Sequence, residues 1–303
     1  PDIIISQYHA YHFASVVGGY LSKILKIPHI IRSQDIFLDS KIYSFPINLI
    51  YKLSFTRVFK SIQSSNIFYV NTSEMKDYLS KLKKLRNVNF KIHPNGIDTE
   101  DFFPFKNQEE LKNNFGCENI LLYVGLLAEK YALQNLVKAL PQILKTHKDT
   151  MVLIIGDGPS KKKIMKFVNN NNLKEQVQLL GIKPHGEIPY YMNNCDIGIG
   201  LLKYKIYLRY VIPVKCLEYM ACKKTFITTA CSTDIIKDND VGLLLNNNYS
   251  IRELSDKIIE LIEDKNLRNR LGENGYKKIY EKFRWDMLMD YFNKDIVNSI
   301  QNY

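Results

Sequence analysis

A chain of 303 residues is long enough for two domains, each burying its own core. Hydrophobic residues at 46% and charged residues at 24% match a soluble globular protein and exclude a disordered or fibrous one. The excess of 42 Lys and Arg over 31 Asp and Glu favours anionic partners, namely nucleic acid, acidic lipid or phosphorylated small molecules. No Arg-rich block or aromatic-and-Arg repeat appears, so no nucleic-acid partner is expected.

In chain order, the first apolar run predicts a buried strand at 3–6, in a chain that opens at Pro1 rather than at a Met, and a segment upstream is expected. Further strands are predicted at 29–32, 67–71 and 90–93, a thin sheet of four. Between them, 46–60 reads as an apolar helix carrying Lys52, Arg57 and Lys60, which either packs on its own sheet or lies on an anionic membrane surface. The polar stretch 103–119, with Pro104 and Gly116, reads as a linker.

From Ile120 the rhythm tightens, with strands at 120–124, 151–155, 177–180, 196–200, 226–229 and 242–245 and helical segments between them. Strands alternating with helices predict an α/β protein, and this half reads as a complete doubly wound parallel sheet. The tail 251–300 is helical, broken near Asp264 and near 283–285, and amphipathic where Leu254, Ile258, Leu261 and Ile262 share a face. The expected domains are 1–107 and 108–283, with 284–303 folding back on the first.

Cys117, Cys195, Cys216, Cys222 and Cys231 are odd in number and lack metal-ligand spacing, so buried reduced thiols are expected and no metal. No run reaches the roughly 18 apolar residues of a membrane span and no signal peptide opens the chain, which points to the cytosol.

Three elements carry chemistry. Ile154 and Ile155 run into Gly156, Asp157, Gly158 and Pro159, a strand entering a Gly-rich turn before a Lys-rich helix. This suits either an anion at the helix N-terminus or a tight turn with no ligand. Gly125 follows the strand 120–124 and leaves room for a phosphate that Lys130 would neutralise, unless Lys130 is a solvated surface lysine. Glu218 sits in the otherwise apolar helix 213–222 and needs either hydroxyl groups, such as those of ribose, or a pairing with Lys215.

In order and spacing these elements, with Pro94, Asn95, Gly96, Ile97 and Asp98 before them and 242–245 after, resemble glycosyltransferase family 4. The resemblance implies two facing Rossmann-like doubly wound domains, the GT-B fold, with the N-terminal one incomplete. It implies transfer of a sugar from a nucleotide diphosphate donor (a UDP-, GDP- or ADP-sugar) to a glycan, lipid-linked or small glycoside acceptor. Configuration would be retained, without metal or cofactor, in the cytoplasm or peripherally on the inner face of the membrane.

By matching positions Gly125 and Lys130 would face the diphosphate, Glu218 the ribose, and Ile182 and Lys183, after Gly181, the base, while Gly156, Asp157 and Gly158 line the same pocket. His9 and His12, with His12 preferred, are the catalytic candidates beside the donor sugar's reacting carbon. Several positions depart from the family pattern. Gln34 replaces a His, Leu126 an Arg and Tyr131 a Gly. Tyr210 replaces a Glu, and Lys223, Lys224 and Thr225 replace Gly, Lys and Pro. Arg209 or Lys215 is the expected replacement for the missing positive charge. The departures leave a second reading, a non-catalytic homologue that binds a nucleotide sugar or a partner. A sugar 2-epimerase on the same plan lacks a persuasive acid and base set.

Overall fold

The computed structural model describes residues 1–8, 13–34, 56–105, 109–203, 210–229, 236 and 240–303. They form two compact units. One holds the described residues of Pro1–Gly96, Ile206–Val211 and Trp285–Tyr303, the other those of Ile97–Lys205 and Ile212–Arg284.

The first unit is a parallel sheet of four strands in chain order: β1 (Ile4–Tyr8), β2 (His29–Ser33), β3 (Ile67–Val70) and β4 (Phe90–Ile92). β3 is buried at every position because both faces are covered, as parallel sheets require. Alternate residues go to opposite sides. Ile31, Phe68 and Val70 join Val58 and Ile62 of a helix described at 56–63, whereas Ile30, Ile67 and Tyr69 meet Phe292 of the last helix, Trp285–Gln301. The described part of the predicted 46–60 helix therefore packs on its own sheet. The last helix is tied down by Asp295, which accepts a hydrogen bond from Tyr69 Oη at 2.5 Å and pairs with Lys91.

This first unit closes at Gly96, ahead of the expected division at 107. Ile97 N donates to Phe283 O at 2.7 Å, and Ile97, Phe102 and Leu111 belong to the second unit's core. The described residues of 103–119 are thus not a linker. They contain a short helix, Glu110–Phe115, whose stop is Gly116 in the left-handed region (φ 61°), so the glycine that suggested a loop is a helix cap.

The second unit carries six parallel strands: β5 (Asn119–Val124), β6 (Thr150–Ile155), β7 (Val177–Gly181), β8 (Ile197–Gly200), β9 (Thr225–Thr229) and β10 (Leu243–Leu245). Their order, β10-β9-β8-β5-β6-β7, is the doubly wound one, and it reverses between β5 and β8. One face of the sheet buries Leu121, Tyr123, Val152 and Ile154 under helices Leu133–Ile143 and Ile251–Glu263, the latter through Leu254, Ile258, Leu261 and Ile262. The other face buries Ile120, Leu122 and Leu153 against helix Val214–Ala221 and Ile279.

Helix Val214–Ala221 lies close on the sheet because β8 offers glycines beneath it. A Cβ added at Gly198 would lie 2.4 Å from the Tyr219 ring, and one at Gly200 would lie 2.5 Å from Cys216 Sγ. Tyr219 Oη donates to Leu122 O at 2.7 Å, so even the buried phenol is satisfied. Cys117, Cys195, Cys216 and Cys222 are free thiols, and Cys231 lies outside the described residues. Among the described residues no helix is long and apolar enough to cross a membrane, and no group of His, Cys, Asp or Glu is placed to hold a metal ion.

Candidate functional site

In an open parallel sheet, ligands bind beyond the carboxyl ends of the strands where the strand order reverses. Here that place is the gap between the ends of β5 and β8, bridged at the backbone where Lys203 N donates to Lys130 O at 2.6 Å. Gly125, Lys130, Lys215 and Glu218 all belong to the segments around it.

Gly125 follows β5 at φ 133°, a conformation open to glycine and disfavoured for other residues, and its N–H is held by Ile155 O at 2.9 Å. The space a side chain would fill is occupied by Lys215, whose Nζ lies 3.0 Å from an ideal Cβ at Gly125. That ammonium sits 3.9 Å from the ring centroid of Tyr123 and 4.6 Å from that of Tyr131. Rings attract cations through their negative faces, so two tyrosines hold the charge where, among the described residues, no carboxylate does. Burial pulls the Lys215 amine down to about 8, against the pull of nearby Cys216 and Glu218 and with a smaller push from Lys130.

Glu218 lies one turn further along the same helix, half-buried. Burial raises its pKa, and the nearby His185 and Lys215 oppose the rise without reversing it. The expected alternative for Glu218, a pairing with Lys215, is not formed. Among the described residues neither side chain has an ion pair, and the Glu218 carboxylate accepts no hydrogen bond. One helix thus presents a cation and an anion, three residues apart and both partly desolvated, at the carboxyl edge of the sheet. Lys130 adds a second cation, its Nζ 5.0 Å from the Tyr131 ring.

Of the two readings of the Gly-rich turn after β6, the geometry at its glycines is that of the tight turn. A Cβ added at Gly156 would lie 2.0 Å from Gly125 O, and one at Gly158 would lie 2.7 Å from Leu127 O. Backbone bonds lock the two turns together: Leu127 N donates to Asp157 O at 2.9 Å and Ser160 N to Leu127 O at 2.8 Å. The open faces of both glycines are filled by the neighbouring turn. The Asp157 carboxylate is engaged as well, by Lys161 Nζ and Gly158 N, each at 2.7 Å, and these bonds hold its pKa below the usual range.

At the end of β7, Gly181 O accepts from Gly156 N at 2.7 Å, which joins a third turn to the stack. Beyond it Ile182 is 78% exposed, and Lys183 Nζ lies 5.8 Å from the Tyr191 ring. His9, His12 and Arg209 lie outside the described residues. Tyr210 belongs to the first unit, where its ring lies 5.4 Å from that of Tyr78. The functional feature absent from the sequence reading is the pair Tyr123 and Tyr131, whose rings position Lys215. Tyr131 had registered only as a departure from glycine.

Known proteins agree with this architecture. The model of the family of glycosyl transferases group 1 matches residues 105–278, more than half of the chain. An uncharacterized glycosyltransferase of Methanocaldococcus jannaschii is 30% identical over 283 residues, which span 89% of this chain and 68% of the relative. The N-acetyl-alpha-D-glucosaminyl L-malate synthase of Bacillus anthracis is 27% identical over 65% of this chain and 51% of its own. Among solved structures, that of HepE from Anabaena in complex with UDP superposes with a TM-score of 0.79 at 17% identity, covering 98% of this chain and 79% of that one, a likeness of GT-B fold. With a family model spanning its second unit and a relative matched along most of its length, the chain belongs to the glycosyl transferases group 1 family.

Proposed function

We propose that the chain transfers a sugar from a nucleotide diphosphate donor to a glycan, lipid-linked or small glycoside acceptor, with retention of configuration and with the donor's nucleotide held by the second unit. The observation that carries this reading is the pair Lys215 and Glu218, both partly desolvated and without an ion pair among the described residues, at the reversal point of the sheet. A buried charge without a partner is costly, and the pair asks for a ligand that is anionic at one end and rich in hydroxyl groups beside it. A nucleoside diphosphate has both features. UDP is the nucleotide named in the complex of the similar Anabaena protein, and it is the first donor nucleotide to test.

In this reading Lys215 and Lys130 meet the diphosphate and Glu218 accepts hydrogen bonds from the ribose hydroxyls. Lys215 takes the place of the Arg lost at Leu126, a side chain that is 50% exposed and carries no charge. As the glycosidic bond breaks, negative charge grows on the departing diphosphate. A cation already fixed against Gly125 stabilises that charge without reorganising. Holding the acceptor hydroxyl near the anomeric carbon supplies the rest of the acceleration. The reading requires no metal and no cofactor.

The test is a screen of UDP-, GDP- and ADP-sugars for turnover, with nucleotide binding measured in parallel on wild type, Lys130→Ala and Glu218→Ala. Donor turnover unchanged in both variants overturns the assignment. Binding without turnover of any donor favours the non-catalytic homologue, the reading that Tyr210 in place of an acid supports.

A further inference from the structure

At the opposite, amino-terminal edge of the second unit's sheet lies a cleft of about 440 Å³, entered between the starts of β8 and β9 and the first turns of helix Lys265–Lys282. Its volume is that of a small-molecule site, yet its chemistry is unlike the mostly apolar lining of such sites. Charged and amide side chains make up nearly the whole wall, with Lys112, Lys223, Lys224, Lys265 and Arg268 against Glu109, Asp196 and Glu273.

The carboxylates are largely used up. Asp196 pairs with Lys112 at 2.8 Å and accepts from Ile120 N at 2.8 Å through its other oxygen, and Glu273 pairs with Lys223 at 2.7 Å. Each pairing also uses a lysine, so the sign of the space is set by the lining as a whole, five cations to three carboxylates. Two further observations concern the segment that builds the floor. Lys223 stands in the left-handed region at φ 56°, a conformation that favours glycine, and its carbonyl is pressed on Gly272, where an added Cβ would lie 2.2 Å away. Thr225, which also lines the cleft, has its hydroxyl oxygen buried without a hydrogen-bond partner. A helix stop that glycine would make with less strain instead carries a lysine whose side chain lines the cleft.

We propose that this cleft binds a phosphorylated small molecule, with Lys265 and Lys223, the latter shared with Glu273, as its principal cations and Lys224 beside them, at a site separate from the one that holds Lys215 and Glu218. Phosphate oxygens accept several hydrogen bonds and carry the charge that the lining lacks. The site uses no residue of the nucleotide pocket, so its occupancy stands or falls independently of the donor reading.

Inorganic pyrophosphate is the probe, titrated calorimetrically into the full chain in the Lys215→Met background, which weakens the other site. Binding is expected there and should weaken steeply with added salt. The double substitution Lys223→Gly with Lys265→Ser should lower the affinity at least tenfold. Because glycine relaxes the left-handed stop, the melting temperature of that variant should not fall. Lys265→Ser alone, at an exposed position, should weaken binding several-fold with the melting temperature unchanged. Absence of pyrophosphate binding in the Lys215→Met background, or equal affinity with and without the two lysines, overturns the proposal.

Discussion

Replacing Lys215 by Met keeps the length and apolar stem of the side chain and removes the ammonium between Tyr123 and Tyr131. The fold disfavours that charge: lowering the amine from 10.5 to about 8 corresponds to ~3 kcal/mol. Below pH 8 the amine is protonated in both folded and unfolded chains, so this penalty is felt in full. As pH rises from 8 to 10.5 the folded chain releases the proton first, the penalty fades, and wild-type stability rises. At pH 7 the Met variant escapes the penalty but loses the attraction of the two rings, ~0.5–2 kcal/mol. A net gain in stability of ~1–2 kcal/mol is expected at pH 7, and little or none at pH 10. UDP affinity should move the other way. Losing one charge-assisted contact of ~1.5–3 kcal/mol weakens binding roughly tenfold to a hundredfold. Denaturant unfolding at the two pH values and calorimetric titration of UDP measure both effects. A variant that is less stable at pH 7, or that binds UDP as tightly as wild type, would refute the reasoning.

Gly156→Ala should destabilise the second unit by about 3 kcal/mol or more, since the new methyl group meets Gly125 O at 2.0 Å and φ is 130°; thermal unfolding reads this directly, and a variant as stable as wild type would show that the stacked turns have slack. Glu218→Gln should leave the fold at least as stable at pH 7, because burial already disfavours the ionised carboxylate, so that stability is lost as pH rises from the ordinary value through the raised one. UDP affinity of that variant should fall roughly tenfold, with pyrophosphate affinity unchanged, as comparative titrations would show. Ser250→Ala removes the cap whose Oγ accepts from Glu253 N at 3.0 Å and should cost about 1 kcal/mol in denaturant unfolding, with nucleotide binding unaffected.

The strands of the second unit were legible because a parallel sheet covered on both faces writes itself as short unbroken apolar runs: those expected at 120–124 and 151–155 are Asn119–Val124 and Thr150–Ile155. Helix Ile251–Glu263 was legible from the spacing of Leu254, Ile258, Leu261 and Ile262. The short helix Glu110–Phe115 was not, because six residues carry too little periodicity and Gly116 marks a helix stop and a loop alike. Local pattern thus determined the α/β class, the doubly wound half and the helix that bears Lys215 and Glu218.

Tertiary structure alone decided what the glycines and charges do. Gly156 and Gly158 have the same local geometry whether their open faces meet a phosphate or another backbone, and only the position of the 125–127 turn shows that the backbone fills them. Likewise Tyr123 and Tyr131, close together in sequence, meet Lys215 from a distant segment, and that Lys215 has no carboxylate partner among the described residues is visible only once they meet. A residue's type and spacing follow from local sequence; what stands opposite it across the fold depends on long-range packing that no single segment encodes.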